Sequence, residues 1–381
     1  MDLTLDEDQQ AINDLAGRIL SEQLPAERLG AIEAQPERFA AETWAELART
    51  RLLGVPLRDD VGGGGFGIAE ACLVLEQIGR TVAPLPYLAT VILGALPIDQ
   101  FGSADQRKRY LPAVIDGSLI LTAALAEAGN VFVPALPATR ATREDAAWRL
   151  EGEKRFVPAA HLAGRILVPA RTGASSVGVF LVEPTASGVA LERAETTALE
   201  PQFSVTLSGA KVDADDVLGD PERGATIVDW IVQRAIAGLC SMQAGVCDAA
   251  LRLTAKHVSD REQFGSKIAT FQAVAQRAAD AYIDTEAVTL TARRASWRLG
   301  ANLPADEALA VAKFWAAEGG QRVAHAAQHL HGGIGVDTAY PLHRYFRWTK
   351  QIELTLGGAM VHLVRLGASI AAWNPDARRA R

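Results

Sequence analysis

Apolar residues recur at helical spacing through the first part of the chain. Ile12, Leu15, Ala16, Ile19 and Leu20 share one helix face, and Phe39, Trp44, Leu47 and Leu52 can line a second stripe. After the loop RDDVGGGGFG, the run IAEACLVLEQIGR is largely apolar, as a buried helix is, and more helix follows to about Leu119. The pattern then changes. WRLEGEKRFV, GRILVPAR, VGVFLVE, GVALE and FSVTLSGAKV are short apolar or alternating runs broken by Gly, Pro and charge, which predicts strands in a small barrel or sandwich rather than βαβ units. From Pro221 the helical period returns over four long segments, roughly 222–258, 271–300, 306–331 and 340–371, which predicts a bundle. Helices, then strands, then a bundle are segregated elements, not a dinucleotide-binding alternation. There is no internal repeat and no low-complexity linker.

Composition narrows the function. The 381 residues are 49% hydrophobic and 22% charged, long enough for two or three domains. A net charge of -7 argues against nucleic acid as the main partner, although a local basic pocket for an anionic ligand is compatible with it. Cys72, Cys240 and Cys247 are an odd, sparse set, which fits a reducing compartment rather than a disulfide framework, and none lies in a zinc-type spacing. The start MDLTLDEDQQ is acidic and polar, unlike a signal or transit peptide, and LATVILGALPI is too short to span a bilayer. The expectation is a soluble cytoplasmic protein with no membrane partner.

Three glycine-containing stretches carry candidate chemistry. In VGGGGFG, Gly62, Gly64 and Gly67 satisfy GxGxxG, but the fingerprint needs a preceding strand, so a helix-opening loop is favoured over a phosphate cradle. In SDREQFGSKIATFQ, Arg261 precedes Phe264-Gly265, and Phe271-Gln272 opens the next helix. Arginine is a permanently charged forked donor suited to pyrophosphate, Gly265 admits close backbone approach and Gln272 adds polar reach; the plain alternative is a helix–turn–helix link with a surface arginine. In HLHGGIGVDTAYPLHRYFR, His329 and His331 precede Gly332-Gly333 and Gly335, where a helix end leaves backbone groups free for a ligand. Residues i and i+2 do not share a helix face, so no metal is expected there.

Together, the RxxFG…FQ element, the HGGxG loop, YPLHRYFR and the helix–strand–bundle order resemble the acyl-CoA dehydrogenase family over essentially the whole chain. The resemblance implies a mainly α fold with a central β domain: an N-terminal helical domain over 1–119, a middle β-barrel over 120–219 and a C-terminal four-helix bundle over 220–381. It also implies FAD chemistry on an acyl-CoA thioester, in which a carboxylate removes the α-proton and the β-hydride goes to flavin N5. In the family, one subunit holds the flavin and its neighbour's Arg, Phe and Gln grip the adenine–pyrophosphate half. Arg261, Phe264, Gln272, Gly332 and Gly333 match those neighbour-facing positions, and His329 stands where the family usually has Gln.

The half that would hold this chain's own flavin departs from the family. The pattern A-L-T-E-P-G-x-G-S-D is ALAEAGN here, with Ala126 for the threonine that meets the flavin and no recognisable Gly-Ser-Asp after Asn130. The pattern K-x-W/F-I-T is KRFVP, which keeps Phe156 but puts Pro158 where a hydroxyl donor belongs. The family base usually sits six residues after a Lys and directly before a Gly; counting from Lys350 and back from Gly357 both reach Leu356. Some branches carry the base in a Glu-Arg pair on the first bundle helix, where this chain has Gln233-Arg234, leaving Arg234 a candidate for contact with substrate. The nearest carboxylate, Glu353, lies three residues before Leu356 and is a weak candidate base, with an ion pair to Lys350 or Arg347 the plainer expectation.

Retention of one half-site and loss of the other implies a subunit of a heteromeric dehydrogenase, α2β2, whose homologous active partner supplies base and flavin pocket while this chain supplies Arg261, Phe264 and Gln272. The resemblance extends to branches acting on CoA thioesters of steroid side chains, with an electron-transfer flavoprotein or similar acceptor. The alternatives are a self-sufficient homo-oligomer using Glu353 or another base, and a non-enzymatic scaffold.

Overall fold

A computed structural model describes residues 3–371. Six helices open the chain: α1 (Glu7–Gln23), α2 (Ala26–Glu33), α3 (Ala41–Arg49), α4 (Ile68–Thr81), α5 (Leu96–Phe101) and α6 (Ala104–Ile115). The Asp6 carboxylate and the Gln9 amide group satisfy each other's backbone N–H at the start of α1, and Ser103 and Gln106 do the same at α6. Between α4 and α5 the apolar run Leu88–Ala95 winds as a π-helix, a local departure that helical spacing alone does not announce.

The middle region is one curled sheet of β1 (Leu121–Ala123), β2 (Arg140–Glu144), β3 (Ala147–Pro158), β4 (Arg165–Arg171), β5 (Val177–Val182), β6 (Val189–Ala194) and β7 (Gln202–Asp213). Its order is β1-β4-β2-β3-β7-β6, with β5 also on β4. β3, β7 and β6 pair antiparallel, while β1 joins β4 in parallel. Both β4 and β5 are nearly or wholly buried, which explains their unbroken apolar runs. The register of β3 against β7 shifts between Lys154 and Val157, a bulge that re-aims the intervening residues.

The C-terminal region is helical: α7 (Gly224–Asp260), α8 (Gln272–Gly300), α9 (Asp306–His331), α10 (Leu342–Leu354) and α11 (Ala359–Ala371). The last expected bundle segment, 340–371, is thus two helices around a turn. The link after α7 contains a two-stranded hairpin, β8 (Glu262–Gln263) and β9 (Ser266–Lys267), in place of a plain helix–turn–helix connection.

One hydrophobic cluster joins the regions, running from Leu20, Leu47 and Leu75 through Leu121, Val168 and Phe180 to Ile231, Ala295 and Ile352. Two glycines let the N-terminal region approach the bundle: a Cβ on Gly79 would lie 2.0 Å from the Met242 carbonyl oxygen, and one on Gly245 would lie 1.9 Å from the Glu76 carbonyl oxygen. The backbones of α4 and α7 therefore cross in direct contact. The stretch Leu342–Ala371 is 30 residues long and apolar enough to raise the question of a membrane span. It is nevertheless two helices of 13 residues each, about 20 Å long apiece at ~1.5 Å per residue, against a hydrocarbon core of about 30 Å.

Candidate functional site

Arg261 caps the C-terminal end of α7, and its N–H donates to the His257 carbonyl at 2.9 Å. The chain then turns through Phe264 (φ 53) and Gly265 (φ 75), two successive left-handed residues that close the β8–β9 hairpin. The turn holds the Phe264 ring in solvent at 93% exposure, 6.3 Å from the Phe271 ring. Gln272, the first residue of α8, is also exposed. Among the described residues, the Arg261 guanidinium has no ion pair, whereas the neighbouring Lys267 is engaged by Glu262 at 2.8 Å and by the Asp260 carbonyl at 3.0 Å.

The glycine loop forms where α9 ends. Gly332 has φ 63, and a Cβ built on Gly332 or Gly333 would meet nothing within 4 Å, so their backbone is open to an approaching ligand. His329 is exposed and His331 is buried, so the two do not face one site, and no metal-holding cluster occurs among the described residues. His331 donates from Nδ1 to the Ala327 carbonyl at 2.8 Å and lies 3.1 Å through Nε2 from the Tyr340 hydroxyl. Its ring stacks on His257 at 4.3 Å and 21°.

That stack fastens the two motifs together. His257 lies one turn before Arg261, and His331 directly precedes Gly332, so the arginine hairpin and the glycine loop share one edge of the bundle. Burial holds both imidazoles below their ordinary pKa, reinforced by Arg261 at His257 and by His257 at His331. Two neutral rings can stack where two imidazolium ions would repel. His257 gave no sequence signal beyond standing one turn ahead of the arginine, and Tyr340 appeared only as the first residue of YPLHRYFR, without a role.

The Leu356 turn is held by side chains from two other helices. Leu356 has φ 56 and Gly357 φ 87, a conformation a leucine adopts at a cost of about 1–2 kcal/mol. The Leu356 side chain packs against the main core. The fully buried Lys313 ammonium donates to the carbonyls of Ile352 (2.9 Å), Glu353 (3.0 Å) and Gly357 (3.0 Å), one acceptor for each of its three N–H groups. Burial pulls its pKa down to about 8. His362 donates from Nε2 to the Leu356 carbonyl at 2.9 Å, and burial draws its pKa down to about 4. Glu353 is held by Lys350 at 2.6 Å.

Gln233 donates to Asp306 at 2.9 Å. Arg234 lies with Cζ 3.5 Å from the Trp230 ring centroid and donates to the Trp230 carbonyl at 3.2 Å; burial lowers its pKa to about 10. No hydrogen bond, ion pair or ring contact among the described residues joins Gln233 or Arg234 to the Leu356 turn.

On the β side, Ala126 bridges Arg155, and Phe156 sits in the β3 bulge with φ 53 and 59% exposure. The Pro158 carbonyl accepts from the Thr122 hydroxyl at 2.7 Å. Glu127 is buried and accepts from the Ala138 N–H (2.6 Å), the Thr139 N–H (3.0 Å), the Thr139 hydroxyl (2.7 Å) and Lys154 (2.8 Å). Burial acts to raise the Glu127 carboxyl, but Lys154 and these donors outweigh it and hold the group ionised. The VGGGGFG loop is no phosphate cradle. The N–H groups of Gly62, Gly63, Gly64, Gly65 and Phe66 donate to carbonyls of Asp59, Arg58, Gly54, Leu57 and Val55, and that of Gly67 to Glu70.

An adenine–pyrophosphate group fits the first edge on its donor set: an unpaired arginine, an exposed aromatic ring, an exposed amide and an uncrowded glycine backbone. The β wall lacks the hydroxyls a flavin ring needs at Ala126 and Pro158, so the two halves fit FAD unequally.

A helix–sheet–bundle fold with a flavin-type half-site is the architecture of the acyl-CoA dehydrogenases, and the chain belongs to that FAD-dependent family. The acyl-CoA dehydrogenase N-terminal domain matches residues 6–118 and the C-terminal domain residues 222–371. The acyl-CoA dehydrogenase FadE27 of Mycobacterium tuberculosis is 37% identical over 97% of this chain and 99% of its own length. Among solved structures, the ChsE4–ChsE5 complex from Mycobacterium tuberculosis aligns with a TM-score of 0.92 at 37% identity, covering 98% of this chain and 100% of the matched one. A variant of the Tcur3481–Tcur3483 steroid ACAD aligns at 0.89 and 42% identity, covering 97% and 99%.

Proposed function

We propose that this chain is the base-deficient subunit of a heteromeric acyl-CoA dehydrogenase, paired with a homologous catalytic subunit in an α2β2 assembly. Leu356 carries the reading. The turn that would present a catalytic carboxylate is intact and braced by Lys313 and His362, yet its side chain cannot accept a proton. Glu353 is engaged by Lys350. Gln233 occupies the alternative base position and is engaged by Asp306.

The chain's contribution is binding and orientation. Arg261 would neutralise pyrophosphate charge, Phe264 would cover the adenine half from the hairpin tip, and Gln272 and His329 would supply polar contacts. Gly332 and Gly333 would let the backbone approach. FAD, held mainly by the partner, supplies the hydride acceptor for α,β-desaturation of the acyl thioester. In the partner's site this chain's residues move no proton; they fix the cofactor and exclude water from its adenine end. Arg234, the candidate for substrate contact, is instead occupied by the Trp230 ring and carbonyl.

One structural neighbour is a steroid ACAD, which favours a steroid side-chain CoA ester as substrate, and the other is a complex of two named proteins, which favours a heteromeric assembly. An electron-transfer flavoprotein or similar carrier would take the electrons, in the cytoplasm. The test is purification of the chain alone and co-expressed with a homologous dehydrogenase. The expected outcome is a colourless, inactive protein alone and a yellow, dye-reducing complex. Turnover by the chain alone would replace this reading with a self-sufficient enzyme, and a complex without activity would leave a scaffold.

A further inference from the structure

The family pattern A-L-T-E-P-G-x-G-S-D can be counted on from Glu127. This chain has Ala128, Gly129 and Asn130, then Val131, Phe132 and Val133 where Gly-Ser-Asp would stand. Counted without a gap, a glycine and two polar residues are replaced by three apolar ones. Glu127 pins the base of the loop, because its carboxylate takes the N–H groups of Ala138 and Thr139 at the far end. Held together at its base, the loop reaches away from the sheet to the bundle.

There Phe132 meets α11. Its ring stands edge-on to His362, with centroids 5.9 Å apart at 78°, and the Arg365 guanidinium lies 4.2 Å from the Phe132 ring centroid. Phe132 and Val133 are partly buried against the main core. His362 is also the residue that holds the Leu356 carbonyl. The loop therefore leaves the wall bearing Ala126 and Phe156 and closes on the wall bearing Leu356. On the reading proposed above, on which this inference rests, a flavin belonging to this chain would lie between those walls.

We infer that Phe132 and Val133, beside a Val131 left 78% exposed, form a built-in plug that bars flavin and acyl thioester from this chain's own site and clamps the Leu356 turn through His362. The contacts that seat it are specific: an edge-to-face ring pair and a cation over a ring face. A serine and an aspartate at the same places would offer a ligand hydrogen-bonding groups; valine and phenylalanine offer it none. The chain thus excludes a second cofactor by filling the space as well as by lacking donors, and the base turn is held by His362, on which the plug rests.

The test is hydrogen exchange with peptide-level mass spectrometry on the co-purified complex, comparing wild type with Phe132→Ser and Arg365→Gln. Phe132→Ser removes both the ring pair with His362 and the ring face under Arg365. It should speed exchange roughly tenfold in both 128–138 and 354–362, the scale of those two interactions together. Arg365→Gln alters an exposed side chain and threatens folding least; it should accelerate the same two segments by a few-fold, the scale of one cation–π interaction. Flavin content should not change in either variant. Acceleration confined to 128–138 in both variants would overturn the plug, as would unchanged exchange in both segments. A wild-type complex that holds flavin in both chains would overturn it too. A wild-type complex with no flavin would instead sink the shared-site reading.

Discussion

Lys313 Nζ lies 3.0 Å from the Gly357 carbonyl oxygen and as close to two carbonyls at the end of α10, so a buried cation closes the turn from beneath. The C-terminal end of a helix carries partial negative charge from its unsatisfied carbonyls, and an ammonium neutralises it. Lys313→Met should orphan these three acceptors and lower stability by about 1–3 kcal/mol, the cost of an unmet buried polar group. The expected signature is a lower urea midpoint with an unchanged slope. A variant as stable as wild type would remove Lys313 as the brace of the turn.

His362 gives the acid limb of stability its shape. Its folded pKa of about 4 is depressed, mainly by burial, below an unfolded value near ~6.5. The unfolded chain therefore binds the proton first. The contribution of His362 is fully present above about pH 6.5 and is lost as pH falls toward about 4, up to roughly 3 kcal/mol. His257 and His331, also depressed, act in the same direction. His362→Gln should flatten this limb in unfolding curves taken between those pH values; an unchanged limb would assign the loss to other groups.

Glu353→Gln separates the two roles open to that carboxylate. Its ion pair with Lys350 at 2.6 Å is a partly buried pair one helical turn apart, worth about 0.3–1 kcal/mol. Turnover of the assembled enzyme should stay within about twofold of wild type, because a residue that transfers no proton leaves the chemical step alone. Loss of several orders of magnitude would make Glu353 the base.

The segregated order of helices, strands and helices was legible because period alone separates the three regions, although the segment expected over 340–371 is two helices, Leu342–Leu354 and Ala359–Ala371. The π-helix at Leu88–Ala95 and the hairpin at Phe264-Gly265 were not, since the first has no periodic signature and the second carries only a Phe-Gly turn between very short strands. Arg261 and the glycines after His331 were visible as motifs. What joins them, the His257–His331 stack, couples residues on two different helices and has no local sequence signal. Lys313 was hidden for the same reason: its partners are backbone carbonyls on another helix. The segment after Asn130 looked lost in sequence because its polar pattern was gone, whereas in the structure Phe132 and Val133 pack against the main core and the Phe132 ring meets His362.

The most direct measurement is the flavin content of the co-purified complex, wild type against Arg261→Ala. Arg261, at the end of α7, has no ion pair among the described residues, and a charge-assisted contact to pyrophosphate is worth about 1.5–3 kcal/mol. Wild type should retain about one FAD for each pair of chains through dialysis, and Arg261→Ala should hold it roughly ten- to a hundredfold more weakly. Equal flavin retention by the two would contradict a site completed in trans by this chain.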